Sequence, residues 1–256
     1  MSVIHEPGPP LVIGHRGAAA VQPENTLPSF EHAIALGVDA IEFDVRVSRD
    51  GVAVVHHDPS TRRTCGEDLV VEHTGLATLR ALDAAATYTG RFTPVRRAAI
   101  PLLDEVLELT RDIPVIIECK TTECVAPVLA AIAAHGVTDR VVIGSFLDAA
   151  MHEVRAASVA SGAARGDMIR MAARGLVRLA PRTMPYRAMC IPERSNGITL
   201  PIARLARWGR ALGVPVHVWT VNHVPDAMRL WDQGVTGIMT DDPAAMLEAR
   251  RNRLRR

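Results

Sequence analysis

The sequence predicts an irregular TIM-type (β/α)8 barrel, an α/β fold. Short β-branched runs alternate with Ala- and Leu-rich helical patterns from one end of the chain to the other, and eight such runs occur within 256 residues. This alternation favours parallel strands joined by helices. A doubly wound sheet is the second choice. Its glycine-rich fingerprint GxGxxG is absent from the first strand–helix turn, where Gly14-His15-Arg16-Gly17 stands instead.

The predicted strands are short runs bounded by turn residues. They cover residues 11–14, 40–45, 52–56, 114–118, 140–144, 187–191, 215–220 and 236–240. Between most of them, apolar residues recur every three or four positions, as in helices with one buried face. The predicted helices cover residues 26–36, 102–111, 123–135, 147–157, 165–179, 199–212 and 225–233. Together these elements predict one barrel domain over residues 1–256.

Two places interrupt the alternation. Only Arg46 to Gly51 separate the second and third predicted strands, which is too short for a crossover helix, so the barrel is irregular there or the two strands form a hairpin. Residues 58–101 carry polar turns and a Leu-rich patch, which predict a small inserted subdomain after the third strand. Residues 158–186 are ambiguous, because the string ASVASGA at their start could form a weak additional strand.

The composition restricts the classes of partner. Basic residues number 29 and acidic residues 28, and their interspersion indicates neither nucleic acid nor an anionic membrane as a partner. No run approaches the ~18 apolar residues of a membrane span, and the first residues lack a signal-peptide pattern. Four cysteines without a CxxC pair are typical of a reducing compartment. We therefore expect a cytoplasmic protein with a small-molecule substrate and no stable membrane insertion.

Acidic residues lie near the ends of two predicted strands. Glu42 and Asp44 are two positions apart and so face the same side of their strand, and Glu118 and Lys120 repeat this spacing on another. Because the carboxyl ends of barrel strands line the active-site mouth, three acids and one ammonium are expected to converge. Oxygen ligands favour Mg²⁺ or Ca²⁺. An ion pair with arginine is the alternative for any single acid.

Two histidines end predicted strands. His15 ends the first strand and His57 the third, and two imidazoles beside a divalent ion suit proton transfer to and from a reacting ester. Arg16 and Lys120 supply the donors that phosphate oxygens need, so a phosphate ester is the expected substrate. The sequence contains neither a GxSxG elbow nor a P-loop, which gives little support to a protein nucleophile.

Eleven short strings occur in a fixed order along nearly the whole chain. They are HRG (15–17), PENT (23–26), EFDV (42–45), SRDG (48–51), HD (57–58), RRTCG (62–66), IPLLDEVLEL (100–109), IECK (117–120), SF (145–146), VWTVN (218–222) and GIMTDDP (237–243). This ordered set resembles the glycerophosphodiester phosphodiesterase family. The match is weakest over residues 147–197, which are rich in arginine and methionine.

The resemblance implies metal-dependent hydrolysis of glycerophosphodiesters to sn-glycerol 3-phosphate and an alcohol, with the substrate's own glycerol hydroxyl as the first nucleophile. The residues that match the family's motifs would be the metal ligands Glu42, Asp44 and Glu118, the acid–base pair His15 and His57, and the phosphate-binding Arg16 and Lys120. Glu24 would orient Arg16. Trp219 would line the mouth, although a large core aromatic is an equal interpretation.

Three other functions stay open. A lysophospholipase D-type enzyme acting on lysophospholipids would need an apolar channel. A non-catalytic barrel that binds phosphodiesters would be expected to lack a histidine or an acid, whereas this chain retains all of those that the resemblance assigns. A Mg²⁺-dependent lyase that stabilises an enolate would need a base set against carbon, and two histidines with an arginine suit phosphorus better.

Overall fold

The computed structural model describes residues 3–90, 97–195 and 197–255. Its strands are β1 (Leu11–His15), β2 (Ala40–Val47), β3 (Ala53–Val55), β4 (Val115–Cys119), β5 (Val141–Gly144), β6 (Met189–Pro192), β7 (Arg194–Ser195), β8 (Ile198–Thr199), β9 (Val216–Trp219) and β10 (Gly237–Thr240). Its α-helices are α1 (Leu27–Leu36), α2 (Arg62–Cys65), α3 (Leu76–Ala81), α4 (Leu103–Leu109), α5 (Val125–His135), α6 (Asp148–Ala156), α7 (Arg165–Leu176), α8 (Ile202–Leu212), α9 (Val224–Asp232) and α10 (Pro243–Leu254).

Seven strands pair in parallel in the order β5-β4-β2-β1-β10-β9-β6. The eighth position of the ring is taken by Ser161 and Gly162, which form parallel bridges to Ile143 in β5 and to Ala188 just before β6. The string ASVASGA therefore does contribute a barrel segment, although only two of its residues pair. With these bridges the barrel is nearly closed, as the fold class predicts.

The third predicted strand is not part of the barrel wall. β3 pairs antiparallel with β2, with Val55 opposite Val45. The hairpin alternative is correct, because the turn at Asp50-Gly51 reverses the chain and Gly51 adopts a positive φ of 78°. Counting residues 52–56 among eight barrel strands was wrong; the missing position belongs to residues 161–162.

Two apolar layers flank the barrel wall, and side-chain parity separates them. Ala40 and Ile116 point into the barrel and join an inner cluster with Ile13 and Met239. Their neighbours along the strands, such as Phe43, point outward against the surrounding helices. This alternation is what turns the polar residues at the strand ends toward the mouth.

Residues 58–90 and 97–101 follow β3 and contain α2 and α3. Val71, Leu79 and Ile100 pack with Val54 of β3 into a third apolar cluster, separate from the two barrel layers. Residues 91–96 of the predicted insertion lie outside the described residues.

A basic run from Arg250 to Arg253 lies in α10, a helix that the sequence pattern did not predict. The side chain of Asp242 caps this helix by accepting a hydrogen bond from Ala245 N at 3.1 Å. Arg250 forms an ion pair with Asp39, so the run also ties the helix to the barrel. Of the residues that the structure describes, none belongs to a helix long and apolar enough to cross a membrane.

A short 3₁₀ helix, Val3–His5, packs at the end of the barrel opposite the mouth. The His217 side chain is fully buried there, and its Nε2 donates to the carbonyl of Ile4 at 3.2 Å. Gly237 faces this ring across the β9–β10 pair, where a Cβ atom would lie 2.2 Å from His217 Nδ1. Burial lowers the pKa of His217 to about 4, so the folded protein holds this imidazole neutral.

This buried histidine predicts a pH dependence of stability. Between pH 6.5 and about 4 the unfolded chain binds a proton at His217 that the folded chain excludes. The stability that the folded protein gains with a neutral His217 is therefore complete above pH 6.5 and is lost as the pH falls from 6.5 to about 4. When the pH is lowered through this range, we expect the free energy of unfolding, measured with urea, to fall by about 3 kcal/mol more in the wild type than in His217→Gln. Equal pH dependence of the two proteins would contradict this.

Candidate active site

Four predicted site residues lie near the ends of three neighbouring barrel strands, β1, β2 and β4. His15 at the end of β1 lies opposite Glu42 in β2. One layer further along, Asp44 in β2 lies opposite Glu118 in β4. All four stand at the carboxyl-terminal side of the parallel barrel, which is where TIM-barrel enzymes build their active sites.

A cavity of about 170 Å³ opens among these strand ends. Its wall includes seven of the predicted site residues, namely His15, Arg16, Glu42, His57, Glu118, Lys120 and Trp219. The rest of the wall is largely apolar and includes Ile116, Phe146, Met168, Cys190 and Met239, which the sequence analysis did not single out as site residues. The cavity thus has a charged side and an apolar side, as small-molecule sites commonly do.

A larger groove of about 1260 Å³ lies at the other end of the barrel, around Val3, Pro114 and Arg187. These residues precede strands instead of following them. Among TIM-barrel enzymes that end contributes stability, and chemistry takes place at the carboxyl ends of the strands. We therefore locate the candidate site in the smaller cavity.

Three carboxylates form a compact cluster at the mouth. Glu42, Asp44 and Glu118 each offer an oxygen within 4.8 Å of the others, and Asp44 is only 1% exposed. Burial, together with the charge of Asp44, raises the pKa of Glu42 to about 7. A donor set of oxygens alone, crowded enough to raise a pKa, fits a hard divalent cation such as Mg²⁺ or Ca²⁺.

Two basic side chains neutralise part of this cluster. Lys120 Nζ lies 2.9 Å from Asp44 Oδ1 and 2.7 Å from Glu118 Oε1. Arg16 Nε lies 3.2 Å from Asp44 Oδ2. Although burial alone would raise it, these two charges hold the pKa of the Asp44 carboxyl well below its usual range. Asp44 is therefore an anion near neutral pH.

The turn after β1 determines where Arg16 points. Arg16 itself adopts a left-handed φ of 51°, and Gly17 follows with a φ of 90°. A Cβ atom on Gly17 would lie 2.4 Å from the Ser29 hydroxyl oxygen, so only glycine fits. This turn directs Arg16 toward Glu24, whose Oε1 accepts a hydrogen bond from NH1 at 2.8 Å. Glu24 itself lies outside the cavity wall, in contact with Arg16 and Arg63.

Both histidines have one ring nitrogen occupied by a carboxylate. His15 Nδ1 donates to Asp241 Oδ1 at 2.6 Å, and its Nε2 lies 3.9 Å from Glu42 Oε2. His57 Nδ1 donates to Asp58 Oδ1, also at 2.6 Å. Burial lowers the pKa of His15, but the hydrogen bond to Asp241 and the negative charges of Glu42 and Asp241 together outweigh burial, so the net shift of this pKa is upward. The Nδ1 contacts fix both ring orientations and leave each Nε2 without a hydrogen bond to any described residue.

Several supporting residues were not assigned from the sequence. Asn25 Nδ2 donates to Asp44 Oδ2 at 2.8 Å, and Asn222 Nδ2 donates to Asp241 Oδ2 at 2.7 Å. Arg63 binds both Asp58 and Glu24. All of these residues lie within strings that carry the family resemblance, namely PENT, HD, RRTCG, VWTVN and GIMTDDP. No local sequence pattern indicated which side chains they would contact.

Trp219 lies at the carboxyl end of β9 and reaches the cavity wall. Its ring meets the Phe146 ring edge to face, with centroids 5.8 Å apart and an interplanar angle of 88°. Trp219 also packs against the inner barrel cluster. Both interpretations of this residue therefore apply, since it lines the mouth and covers the core beneath it.

The fold and the site together define a TIM-barrel enzyme whose mouth brings acidic, imidazole and cationic side chains together. Residues 15–245 match the model of the glycerophosphoryl diester phosphodiesterase family. The chain belongs to this family.

Similar proteins extend over almost the whole chain. A glycerophosphodiester phosphodiesterase from Caldanaerobacter subterraneus is 32% identical over 244 residues, which cover 93% of this chain and 96% of that protein. A phosphodiesterase from Oleispira antarctica, solved in complex with the product sn-glycerol-3-phosphate, has a TM-score of 0.74 and 25% identity, covering 94% and 96% of the two chains. The glycerophosphodiester phosphodiesterase of Thermotoga maritima shares the fold, with a TM-score of 0.70, 24% identity and coverage of 93% and 97%.

Proposed function

We propose that this protein hydrolyses glycerophosphodiesters to sn-glycerol 3-phosphate and an alcohol. The observation that carries the proposal is the meeting of two histidines, two cationic side chains and two carboxylates on the wall of one cavity, with the buried carboxylate of Asp44 clustered against the other two acids. Family membership supports it, and so does the complex of the Oleispira antarctica protein with sn-glycerol-3-phosphate. These side chains match the needs of phosphodiester cleavage, namely charge neutralisation, proton removal, proton donation and orientation.

The residues that would hold a metal ion are Glu42, Asp44 and Glu118. Their oxygens lie close enough to share one cation, and the raised pKa of Glu42 reflects a crowding of like charges that a cation relieves. When bound, Mg²⁺ or Ca²⁺ would supply positive charge to a phosphoryl oxygen. Lys120 would stay beside Asp44 and Glu118, and so limits the net charge of the site.

The phosphate group would be oriented by Arg16 and Lys120. Arg16 Nε is buried 3.2 Å from Asp44 Oδ2 but makes no hydrogen bond to any described residue, and Lys120 reaches the cavity wall. A buried donor without a hydrogen bond is costly, and an anion that accepts from it removes that cost. Glu24 holds the other end of the guanidinium, so Arg16 keeps its direction before substrate arrives.

His15 and His57 would move protons. Each donates Nδ1–H to a carboxylate, so its Nε2 is the atom free to exchange a proton with the substrate. One imidazole would remove the proton from the attacking hydroxyl, and the other would give a proton to the leaving oxygen. Either assignment of the two transfers completes the same reaction.

The attacking group belongs to the substrate or to water. Cys190 is the thiol on the cavity wall, and burial raises its pKa to about 12, so it stays protonated and weakly nucleophilic. Ser145 is also on the wall, but its hydroxyl donates to the carbonyl of Cys119 at 2.7 Å. In keeping with the resemblance to the family, we propose the substrate's own glycerol hydroxyl as the first nucleophile: it forms a bond to phosphorus as the alcohol leaves with a proton, and water then opens the cyclic phosphate to sn-glycerol 3-phosphate.

Asp241 is the positioning residue for His15. Replacing it with asparagine removes the charge and allows the imidazole to rotate or to change tautomer. We expect Asp241→Asn to lower kcat roughly 10- to 100-fold with a smaller change in KM. The comparison variant is Asp232→Asn, an exposed carboxylate that pairs with Arg253 far from the cavity. Unchanged kcat in Asp241→Asn would rule out this positioning role.

A lysophospholipase D-type activity is the second candidate. Phe146 and Leu147 are large, exposed apolar residues, and Phe146 stands on the cavity wall beside Trp219. An acyl chain could lie along such a rim. The small volume of the cavity, about 170 Å³, favours the deacylated diesters over substrates that carry an acyl chain.

One assay distinguishes these functions. Protein stripped with a chelator and then supplied with Mg²⁺, Ca²⁺ or Mn²⁺ is incubated with glycerophosphocholine, glycerophosphoethanolamine or a lysophospholipid, and products are identified by phosphorus NMR. We expect sn-glycerol 3-phosphate from the first two, only when metal is restored. Hydrolysis of the lysophospholipid alone would favour the second candidate. Tight binding without turnover of any substrate would indicate a non-catalytic barrel.

Two further assignments belong with this proposal. We propose that the barrel is a single domain over residues 1–256 and that residues 58–101 are an inserted subdomain, since Asp58 and Arg63 from this segment support His57 and Glu24. We also propose a reducing compartment such as the cytoplasm, because all four cysteines are free thiols.

A further inference from the structure

The surface formed by residues 165–182, here called the arginine face, has an unusual charge pattern. Its arginines are all exposed and are Arg165, Arg170, Arg174, Arg178 and Arg182. The sole acid in this stretch, Asp167, is buried and already paired with Arg155 and Arg170. The other four arginines make no ion pair or side-chain hydrogen bond with any residue in the described ranges.

Exposed aliphatic residues lie among these charges. Ile169, Leu176, Val177 and Leu179 are between 57% and 72% exposed. Ile169 and Leu176 are seven positions apart on α7 and share one stripe of the helix, whereas Met171 on the opposite side packs into the outer core. Helix α7 therefore packs one face against the protein core and exposes a second face, both apolar and basic, to solvent.

The end of α7 adds to this surface. Arg178 adopts a φ of 58°, the left-handed conformation that commonly ends a helix, and Leu179 N then donates to the carbonyl of Arg174 at 2.9 Å. The chain thus turns back at the helix end and presents Val177 and Leu179 close to the last turn. The exposure of these residues results from an ordered cap.

The charge excess extends beyond α7. Residues 158–225 contain ten arginines and only two acids, Asp167 and Glu193, and Glu193 is paired with Arg229. α8 lies beside α7 and exposes Arg207 and Arg210. The expectation of interspersed charges holds for the chain as a whole, with a net charge of +1, and is wrong for this quarter of it.

We propose that the arginine face docks the protein peripherally on an anionic lipid bilayer. Unpaired arginines complement anionic headgroups, and aliphatic side chains between them can enter the boundary of the acyl region. Nucleic acid is the less suitable ligand, because the face exposes aliphatic residues where single strands require aromatic ones; Tyr186, the nearby aromatic in sequence, is buried. This association needs no membrane-spanning helix and does not depend on the catalytic proposal.

Docking would bring the candidate active site near the lipid surface. Met168 in the first turn of α7 lines the cavity, while Ile169 beside it faces solvent. The arginine face and the cavity therefore share one helix. A phosphodiester released at the bilayer would have a short path to the site.

Sedimentation with vesicles tests the proposal. The full chain is mixed with vesicles of phosphatidylcholine containing phosphatidylglycerol, or of phosphatidylcholine alone, and the bound fraction is measured. We expect binding to the anionic vesicles only, and its loss at about 1 M salt, where the Debye length is about 3 Å. The double variant R174Q/R182Q should bind about 25-fold more weakly, since each arginine contributes a factor of about five. Leu176→Ser should lose about fivefold or more.

Matched controls exist elsewhere on the surface. R49Q/R111Q removes two arginines that are similarly exposed, and Leu254→Ser matches Leu176→Ser in chemistry, with 68% exposure against 64%. These controls should bind like the wild type, and all variants should unfold at the same temperature. Equal binding by all proteins, loss only in Leu254→Ser, no vesicle binding by the wild type, or binding to a DNA duplex in place of vesicles would each overturn the proposal.

Discussion

Replacing Glu42 or Glu118 with glutamine is expected to abolish measurable hydrolysis. Each substitution removes one of the three carboxylates that would hold the cation, and Glu118→Gln also removes one of the two ion-pair partners of Lys120. Loss of several kcal/mol of transition-state stabilisation corresponds to a fall of about 10³-fold or more in kcat. Steady-state rates with glycerophosphocholine at saturating Mg²⁺ measure the effect, and alanine at either position should behave in the same way.

A matched control separates the site from general stability. Glu105 is a part-buried carboxylate that pairs with Arg80 at 2.7 Å, away from the cavity. Glu105→Gln should keep near wild-type kcat even if its melting temperature falls. Full activity in Glu42→Gln or Glu118→Gln would remove these residues from the proposed metal site.

Replacing His57 or His15 with asparagine is the second large effect. Asparagine keeps a polar side chain but cannot exchange a proton near neutral pH, so kcat should fall by roughly 10²- to 10⁴-fold while the fold persists. KM should change much less, because neither ring is proposed to hold the phosphate. His135→Asn is the control, since this half-buried histidine pairs with Asp104 on the outer helices. A change confined to KM would contradict the acid–base assignment.

The double variant of both histidines adds a further test. If the two imidazoles act in one proton-transfer sequence, the loss in the double variant should be smaller than the product of the single losses. Multiplicative losses would indicate that the two residues act independently.

The barrel fold, and the convergence of the candidate acidic residues at its mouth, could be predicted from the sequence because the direction of the side chains follows strand parity. Glu42 and Asp44 share a side of β2, and Glu118 lies one strand away, so their convergence follows from spacing and topology alone. Turn chemistry also predicted a hairpin as one of two options at Asp50-Gly51. These features depend on neighbouring residues or on patterns that repeat along the chain, and they can therefore be predicted from a single sequence.

The features that the sequence did not predict depend on contacts between residues that are far apart along the chain. The closing barrel segment at Ser161 and Gly162 is two residues long and has no periodicity to detect. Asp241 meets His15 across more than two hundred residues, and Arg63 reaches Glu24 from the insertion. The arginine face is visible in the sequence as an arginine-rich stretch, but only the fold shows that its single acid is buried. Such contacts arise from tertiary geometry and not from local pattern.

Direct measurement of cation binding tests the central claim, which is that three carboxylates at the strand ends bind one divalent cation at the barrel mouth. Chelator-stripped protein is titrated with Mn²⁺, and the free ion is followed by electron paramagnetic resonance. We predict one tight Mn²⁺ site per chain in the wild type, displaced by Mg²⁺ or Ca²⁺, and its loss in Glu118→Gln but not in Glu105→Gln. Equal binding in all three proteins, or none in the wild type, would contradict the account.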